Sequence, residues 1–130
     1  MILVQDFLQT SAARVPDKAA LVCGERRLSY ARLDGMANRL ANALIAKGVR
    51  RGDRVALYLD NSVEAVVGLF AVLKAGGAFV AVSRGAKPDK LLSILNYCAA
   101  SAVILDVGAL GQGLLERLPE EAGTLRAVVA

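Results

Sequence analysis

The residues able to do chemistry in this chain are few, and histidine is absent. That removes Ser-His-Asp and Cys-His nucleophile arrangements and any histidine-based metal site. Two cysteines, Cys23 and Cys98, lie 75 residues apart. They are too few for a zinc site, and in apolar stretches they read as reduced core residues. Gly76-Gly77 follows a long apolar run. A phosphate cradle needs its glycines before a helix, where free backbone N–H groups face the anion. The pair therefore reads as a helix stop. Gly108, Gly111 and Gly113 do follow a strand-like run. Their spacing departs from GxGxxG, and no acidic residue sits ~20 positions downstream. No GxxxxGK[ST] motif occurs. Asp60-Asn61-Ser62 comes just past an apolar strand-like run, where open α/β sheets bind ligands. Such a place suits a cleft for Asn61 or Ser62; capping of the next helix accounts for both with nothing further assumed. Glu116, Glu120 and Glu121 are carboxylates of the kind used in acid/base work. They fall in a polar, turn-prone segment and read as a solvated face. Residue chemistry alone thus names no catalytic, cofactor-binding or metal-binding residue.

The element that must organise everything else is residues 53–82. Val55 to Leu59 is a short apolar run, 63–75 an almost wholly apolar helix, and Ala78 to Val82 a second apolar run. Strand, helix and strand within ~30 residues make one βαβ unit. Both runs are apolar on consecutive residues, which predicts parallel strands covered on both faces. A helix apolar all round is expected to be buried on most sides. Ahead of this unit, Val4, Phe7 and Leu8 give a first helix an apolar stripe, closed near Val15-Pro16. Residues 19–23 and 27–29 read as a hairpin around Gly24-Glu25. Ser29 caps an amphipathic helix with Leu33, Ala37, Leu40 and Leu44 inward, ended by Gly48. Beyond the unit, Pro88 opens a helix with Leu91, Ile94, Leu95 and Cys98 inward. Residues 102–105 form a strand closed by Asp106, 108–118 a short helix ended near Pro119, and 125–130 a last strand. The expected fold is α/β: an open, largely parallel sheet flanked by helices on both faces, with a small N-terminal hairpin.

A chain of 130 residues suits one domain with a real core. It is 55% hydrophobic, with a mean hydropathy of +0.46, high for a domain that must wet its whole surface. No stretch approaches the ~18 apolar residues of a membrane span. The first residues lack a basic start and a sustained apolar run, so the expected location is cytoplasmic. Sixteen basic and 12 acidic residues leave +4. The one dense basic group, Lys47, Arg50, Arg51 and Arg54, follows a helix, where cations favour the dipole. With few aromatics, no nucleic-acid partner is expected.

Three stretches together resemble one family. Leu28-Ser29-Tyr30-Ala31-Arg32-Leu33-Asp34 resembles the first core motif of the AMP-forming adenylating enzymes. Leu73-Lys74-Ala75-Gly76-Gly77-Ala78-Phe79-Val80 resembles the second. Between them, 48–56 and Asn61-Ser62-Val63-Glu64 match in wording and spacing, and 13–21 fits upstream. The superfamily includes acyl-CoA synthetases, acyl-AMP ligases and the adenylation domains of nonribosomal peptide synthetases. Arg32 stands where the family usually has Glu, and Ser83 to Lys87 replaces a proline-bearing loop. The segment KPDKLLSILNYC, 87–98, looks most like acyl-CoA ligases.

The resemblance implies that residues 1–130 are the N-terminal subdomain of an AMP-forming acyl-CoA synthetase. Such enzymes join a carboxylate to AMP from Mg-ATP, release pyrophosphate, and pass the acyl group to coenzyme A or a carrier protein. The family's phosphate loop, adenine motif, ribose-binding aspartate, hinge and catalytic lysine have no counterpart here. The segment itself is expected to bind no cofactor and to be inactive alone; ATP, Mg and CoA belong to the parent enzyme. Its expected partners are the remainder of that enzyme and, through exposed apolar surface, further copies of itself. The alternative is a free-standing flavodoxin-like interaction module without catalysis.

Overall fold

Val55, Ala56, Leu57 and Tyr58 are all buried, and they form the strand on which the two faces of the molecule are built. The computed structural model describes residues 3–110 and 113–129. In chain order these are α1 (Val4–Arg14), β1 (Ala19–Cys23), β2 (Arg26–Ser29), α2 (Tyr30–Ala46), β3 (Arg54–Leu59) and α3 (Val63–Lys74). Then follow β4 (Ala78–Ser83), α4 (Pro88–Tyr97), β5 (Ala102–Leu105), a 3-10 turn (Val107–Leu110), α5 (Leu114–Glu121) and β6 (Ala127–Val129). β4-β3-β5-β6 form one parallel sheet, and β1-β2 form a separate antiparallel hairpin. The fold class matches the sequence expectation.

Successive side chains of a strand point to opposite faces, and β3 shows it. Val55 and Leu57 pack with Ala102 and Ile104 of β5 against Ala41 and Leu44 of α2 and Ala71 and Val72 of α3. Ala56 and Tyr58 pack with Val103 and Leu105 against Leu91, Leu92 and Leu95 of α4 and Leu114 and Leu118 of α5. A third cluster, Leu8, Leu28, Leu33, Ala37, Val63 and Val67, holds α1 and the hairpin to α2 and α3. Ser29 caps α2, its Oγ accepting from the Arg32 N–H at 3.2 Å.

The two core-motif stretches meet here. Lys74 Nζ lies 2.7 Å from Asp34 Oδ1. That oxygen is buried and no other group satisfies it, so the ammonium is its partner. Gly76 (φ +83°) turns the chain out of α3, a backbone conformation that favours glycine. At Gly77 a Cβ would lie 3.0 Å from the Asp53 carbonyl oxygen and 3.2 Å from Val72 Cγ1. This glycine is needed for close packing of α3's end on the β3 entry.

Five expectations need correction. β4 carries the same kind of apolar run as β3 but is an edge strand, with most of its residues exposed. Its apolar run reflects composition, whereas burial depends on neighbours: Val82 is buried on the α4 side, while Phe79 and Ala81 line an open crevice beside α3. Likewise α3 buries Val63, Val67, Gly68, Ala71 and Val72 but leaves Val66, Leu69 and Phe70 half-exposed. In α1 only Leu8 is buried; Val4 and Phe7 are exposed, because α1 rests on α2 and α3 along a narrow line. Cys23 is exposed and Cys98 half-buried, so neither is a core residue; both are free thiols. Cys23 ends β1 at the open tip of the hairpin. Finally, α5 starts at Leu114 and runs through Pro119 to Glu121. Proline removes the bond to the carbonyl of residue i−4, here Leu115, whose side chain is exposed. Part of the expected 108–118 helix, Gly111 and Gln112, lies outside the described residues. Among the described residues no helix is long and apolar enough to cross a membrane.

Candidate functional site

Strand order places the carboxyl ends of β4, β3 and β5 side by side. β3 leads out to β4 on one side, and β4 crosses back to β5 on the other, so the chain reverses direction across β3. In open parallel sheets this is where ligands bind. Three loops supply the groups: 60–62 after β3, 84–87 after β4 and Asp106 after β5.

Arg84 spans this edge. Its guanidinium lies over the Tyr58 ring, 5.2 Å from the centroid. It then reaches Asp106, Nε to Oδ2 at 3.0 Å and the terminal nitrogen to Oδ1 at 3.5 Å. The Arg84 guanidinium holds the Asp106 carboxyl below its ordinary range; partial burial opposes this, and the N–H groups of Ala109 and Gly108 support it. Arg84 is raised in turn, first by Asp106. Asp106 Oδ1 also accepts from the Ala109 N–H at 2.9 Å, closing the 3-10 turn. The Tyr58 hydroxyl donates to the Ala86 carbonyl. Every one of these groups is committed to another, so the cluster ties the 84–87 loop and the turn after β5 to the end of β3, and it leaves no free base or nucleophile among its members.

Ser62 is committed as well. Its Oγ accepts from the Ala65 N–H at 3.2 Å and donates to the Asp60 carbonyl at 2.9 Å. Ser62 is thus the cap of α3, and Asn61 is exposed beside it. Two crevices flank these residues. One, of about 540 Å³, is apolar and lies between the hairpin, α3 and β4, lined by Val22, Cys23, Val66, Leu69, Phe79 and Ala81 among others. The second, of about 500 Å³, runs from Met36 and Leu40 of α2 to Ile104 and Val129, with Asp60 and Asp106 at the strand ends. Glu116, Glu120 and Glu121 are exposed on α5 and line neither crevice. Arg117 bonds Glu121 at 2.7 Å and Asp89 at 2.6 Å. Its charge lowers the Glu121 carboxyl below the ordinary range.

Sequence reading passed over Arg84 and Asp106. They lie 22 residues apart, and only the strand order brings them together across Tyr58. The signal available in sequence was a charged residue at each of two strand ends.

The glycine pair 76–77 lacks the geometry of a phosphate cradle, which would stand before a helix. It ends a helix, and its Cβ positions face protein backbone and Val72, not open space. The described residues contain no group of three or more His, Cys, Asp or Glu side chains placed to share a metal ion.

The model of the family described as "AMP-binding enzyme" matches residues 8–130. The chain belongs to this family. It is 43% identical over 108 residues to a linear gramicidin synthase of Brevibacillus parabrevis, covering 83% of this chain and 1% of that protein. It is 41% identical over 80 residues to a medium/long-chain-fatty-acid–CoA/3-oxocholest-4-en-26-oate–CoA ligase of Mycobacterium marinum, covering 62% of this chain and 14% of that one. The chain therefore spans a small part of the curated relatives it matches. Among solved structures, the N-terminal domain of FACL13 from Mycobacterium tuberculosis superposes with a TM-score of 0.87 at 26% identity, over 99% of this chain and 34% of that one. The anthranilate CoA ligase AuaEII, solved with anthranoyl-AMP, gives 0.85 at 28% identity, over 95% of this chain and 24% of that one. The chain thus corresponds to a part of the N-terminal domain in the FACL13 structure.

Proposed function

We propose that this AMP-binding family chain is the scaffold segment of an AMP-forming acyl-CoA synthetase. In that reaction a carboxylate displaces pyrophosphate from ATP to give an acyl adenylate, and the thiol of coenzyme A then displaces AMP. The observation that carries the reading is the pairing of a family match along residues 8–130 with a carboxyl edge whose Tyr58, Ser62, Arg84 and Asp106 side chains are each committed to a protein partner. The segment positions the sheet on which the reaction is built, and it supplies neither the nucleotide cradle nor a catalytic group. The acyl-CoA side of the family is favoured by the wording of 87–98 and by the likeness to CoA ligases.

A second acceptor is kept because the chain is 43% identical to a part of a gramicidin synthase: a carrier-protein thiol in place of coenzyme A. ATP and Mg serve the parent enzyme under either acceptor, and the location is the cytoplasm. The test is acyl transfer by the enzyme containing this segment, assayed with a panel of carboxylic acids, ATP and Mg. Acyl-CoA as product supports the first reading. Acylation of a carrier protein with none of coenzyme A overturns it in favour of the second.

A further inference from the structure

The amino edge of the sheet, opposite the loops just described, carries the chain's net charge. Lys47, Arg50, Arg51 and Arg54 line the segment that enters β3, and Arg126 stands immediately before β6. Asp53 is the one acid among them. Of 16 basic and 12 acidic residues in the chain, five and one lie here, which leaves eleven of each elsewhere and the full +4 at this edge. Helix C-termini gather at the same place and favour cations. Two of the five serve that purpose: Arg54 donates to the Cys98 carbonyl at the end of α4 at 3.3 Å, and Arg126 to the Gly48 carbonyl past α2 at 3.0 Å. Asp53 lies 3.6 Å from Arg126. Among the described residues no carboxylate pairs with the side chains of Lys47, Arg50 or Arg51, all exposed. Helix compensation also covers Lys47, the C-cap residue of α2, and leaves Arg50 and Arg51 unexplained.

Large apolar side chains border the same edge. Tyr97, the last residue of α4, is 94% exposed, and Ile45, in the last turn of α2, is 51% exposed. Leu3, Val4 and Phe7 are exposed in and beside the first turn of α1, where Gln5 donates to the Leu73 carbonyl at the end of α3 at 3.1 Å. The acidic groups that border it are Asp6 in the first turn of α1, which accepts from the Leu3 N–H, and those of the α5 flank: Asn96 donates to the Glu121 backbone carbonyl, Glu121 is held by Arg117, and Glu120 is exposed beside it.

We propose that this amino edge docks on an anionic lipid surface. Lys and Arg stems lie along apolar material with their charges at phosphate level, and tyrosine partitions to the headgroup region. Each cation near an anionic leaflet strengthens binding about fivefold. A single-stranded nucleic acid would need several stacking platforms; this edge offers the aromatics Tyr97 and Phe7 together with aliphatic Leu3, Val4 and Ile45, which lipid accommodates and bases do not.

The test is co-sedimentation of the 130-residue chain with phosphatidylcholine–phosphatidylglycerol vesicles and with phosphatidylcholine alone. Binding to the first, not the second, is expected, weakening as salt is raised. Arg50→Ala and Arg51→Ala should each weaken it about fivefold. Tyr97→Ala should weaken lipid binding while leaving any binding to single-stranded DNA unchanged. These sites are exposed, and circular dichroism verifies that the variants fold. Absence of vesicle binding overturns the proposal. So does binding to DNA and vesicles with equal loss in the arginine variants and none in Tyr97→Ala, which marks a plain polyanion patch. Capture of an acidic protein with no response to anionic vesicles overturns it too.

Discussion

β3 and β4 are neighbours of six residues each, paired in register from Arg54 opposite Ala78 to Leu59 opposite Ser83. Both are apolar on consecutive residues, yet Val55 is fully buried and its partner Phe79 is 39% exposed. β3 lies between two strands and two helical layers. β4 has a strand on one side, and its α3-facing side opens on the apolar crevice. A continuous apolar run marks a strand made for burial on both faces; it does not say what does the burying. The proposed reading takes β4 and the half-exposed side of α3 as surface prepared for further protein, either the rest of the enzyme or another copy. β4 also lacks the charges, proline or bulge that usually blunt an edge.

The comparison is broken most strongly by exchanging large for small side chains on the two strands. Leu57→Ala should cost about 2–4 kcal/mol, as a core truncation does, read as a drop in the urea midpoint at unchanged slope. Phe79→Ser should leave the midpoint within about 0.5 kcal/mol of the parent, as a surface change does. It should also reduce self-association in sedimentation. Equal destabilisation by the two would show β4 to be as buried as β3, and a clean monomer at high concentration in the parent would contradict the exposed-face reading.

The next effect falls between the core motifs. Lys74→Met leaves the Asp34 carboxylate buried without its cation and should cost about 2 kcal/mol, measured by the same unfolding. Adding Asp34→Asn to it should recover part of the loss, since the buried charge is then gone. Ser62→Ala removes the α3 cap and should cost about 1 kcal/mol; a matching loss of ligand affinity in the intact enzyme would instead assign Ser62 to the cleft.

The smallest effect is acid sensitivity at the carboxyl edge. Asp106 is held below its ordinary value of 3.8 by Arg84. Its contribution is therefore complete above that value and is lost as pH falls through the lowered one. Because both partners are partly exposed, the effect is modest. Asp106→Asn should flatten the stability profile below about pH 4 and leave it unchanged near neutrality.

Local patterns carried much of the fold into the sequence. Ser29 and Pro88 announce helix starts, Gly76-Gly77 a stop, and the 53–82 unit its strands and helix, because each depends on contacts within a few residues. Depth was less legible. Val4 and Phe7 have the same helical spacing as Leu8 but lie outside the contact line, and Cys23 sits in an apolar stretch that ends at an open tip. The α5 boundaries were obscured by Pro119, which is tolerated on the exposed side of a short helix. At the carboxyl edge Ser62 was legible as a cap. The Tyr58–Arg84–Asp106 cluster was not, because it is a product of strand order, and no local pattern specifies that order.

The central claim is that both core-motif stretches of this chain are structural and that catalysis requires groups it does not hold. ATP–pyrophosphate exchange by the purified 130-residue chain, with Mg and a broad panel of carboxylic acids, tests it most directly. The account predicts no exchange above the protein-free background. An acid-dependent exchange rate from this chain alone would contradict it.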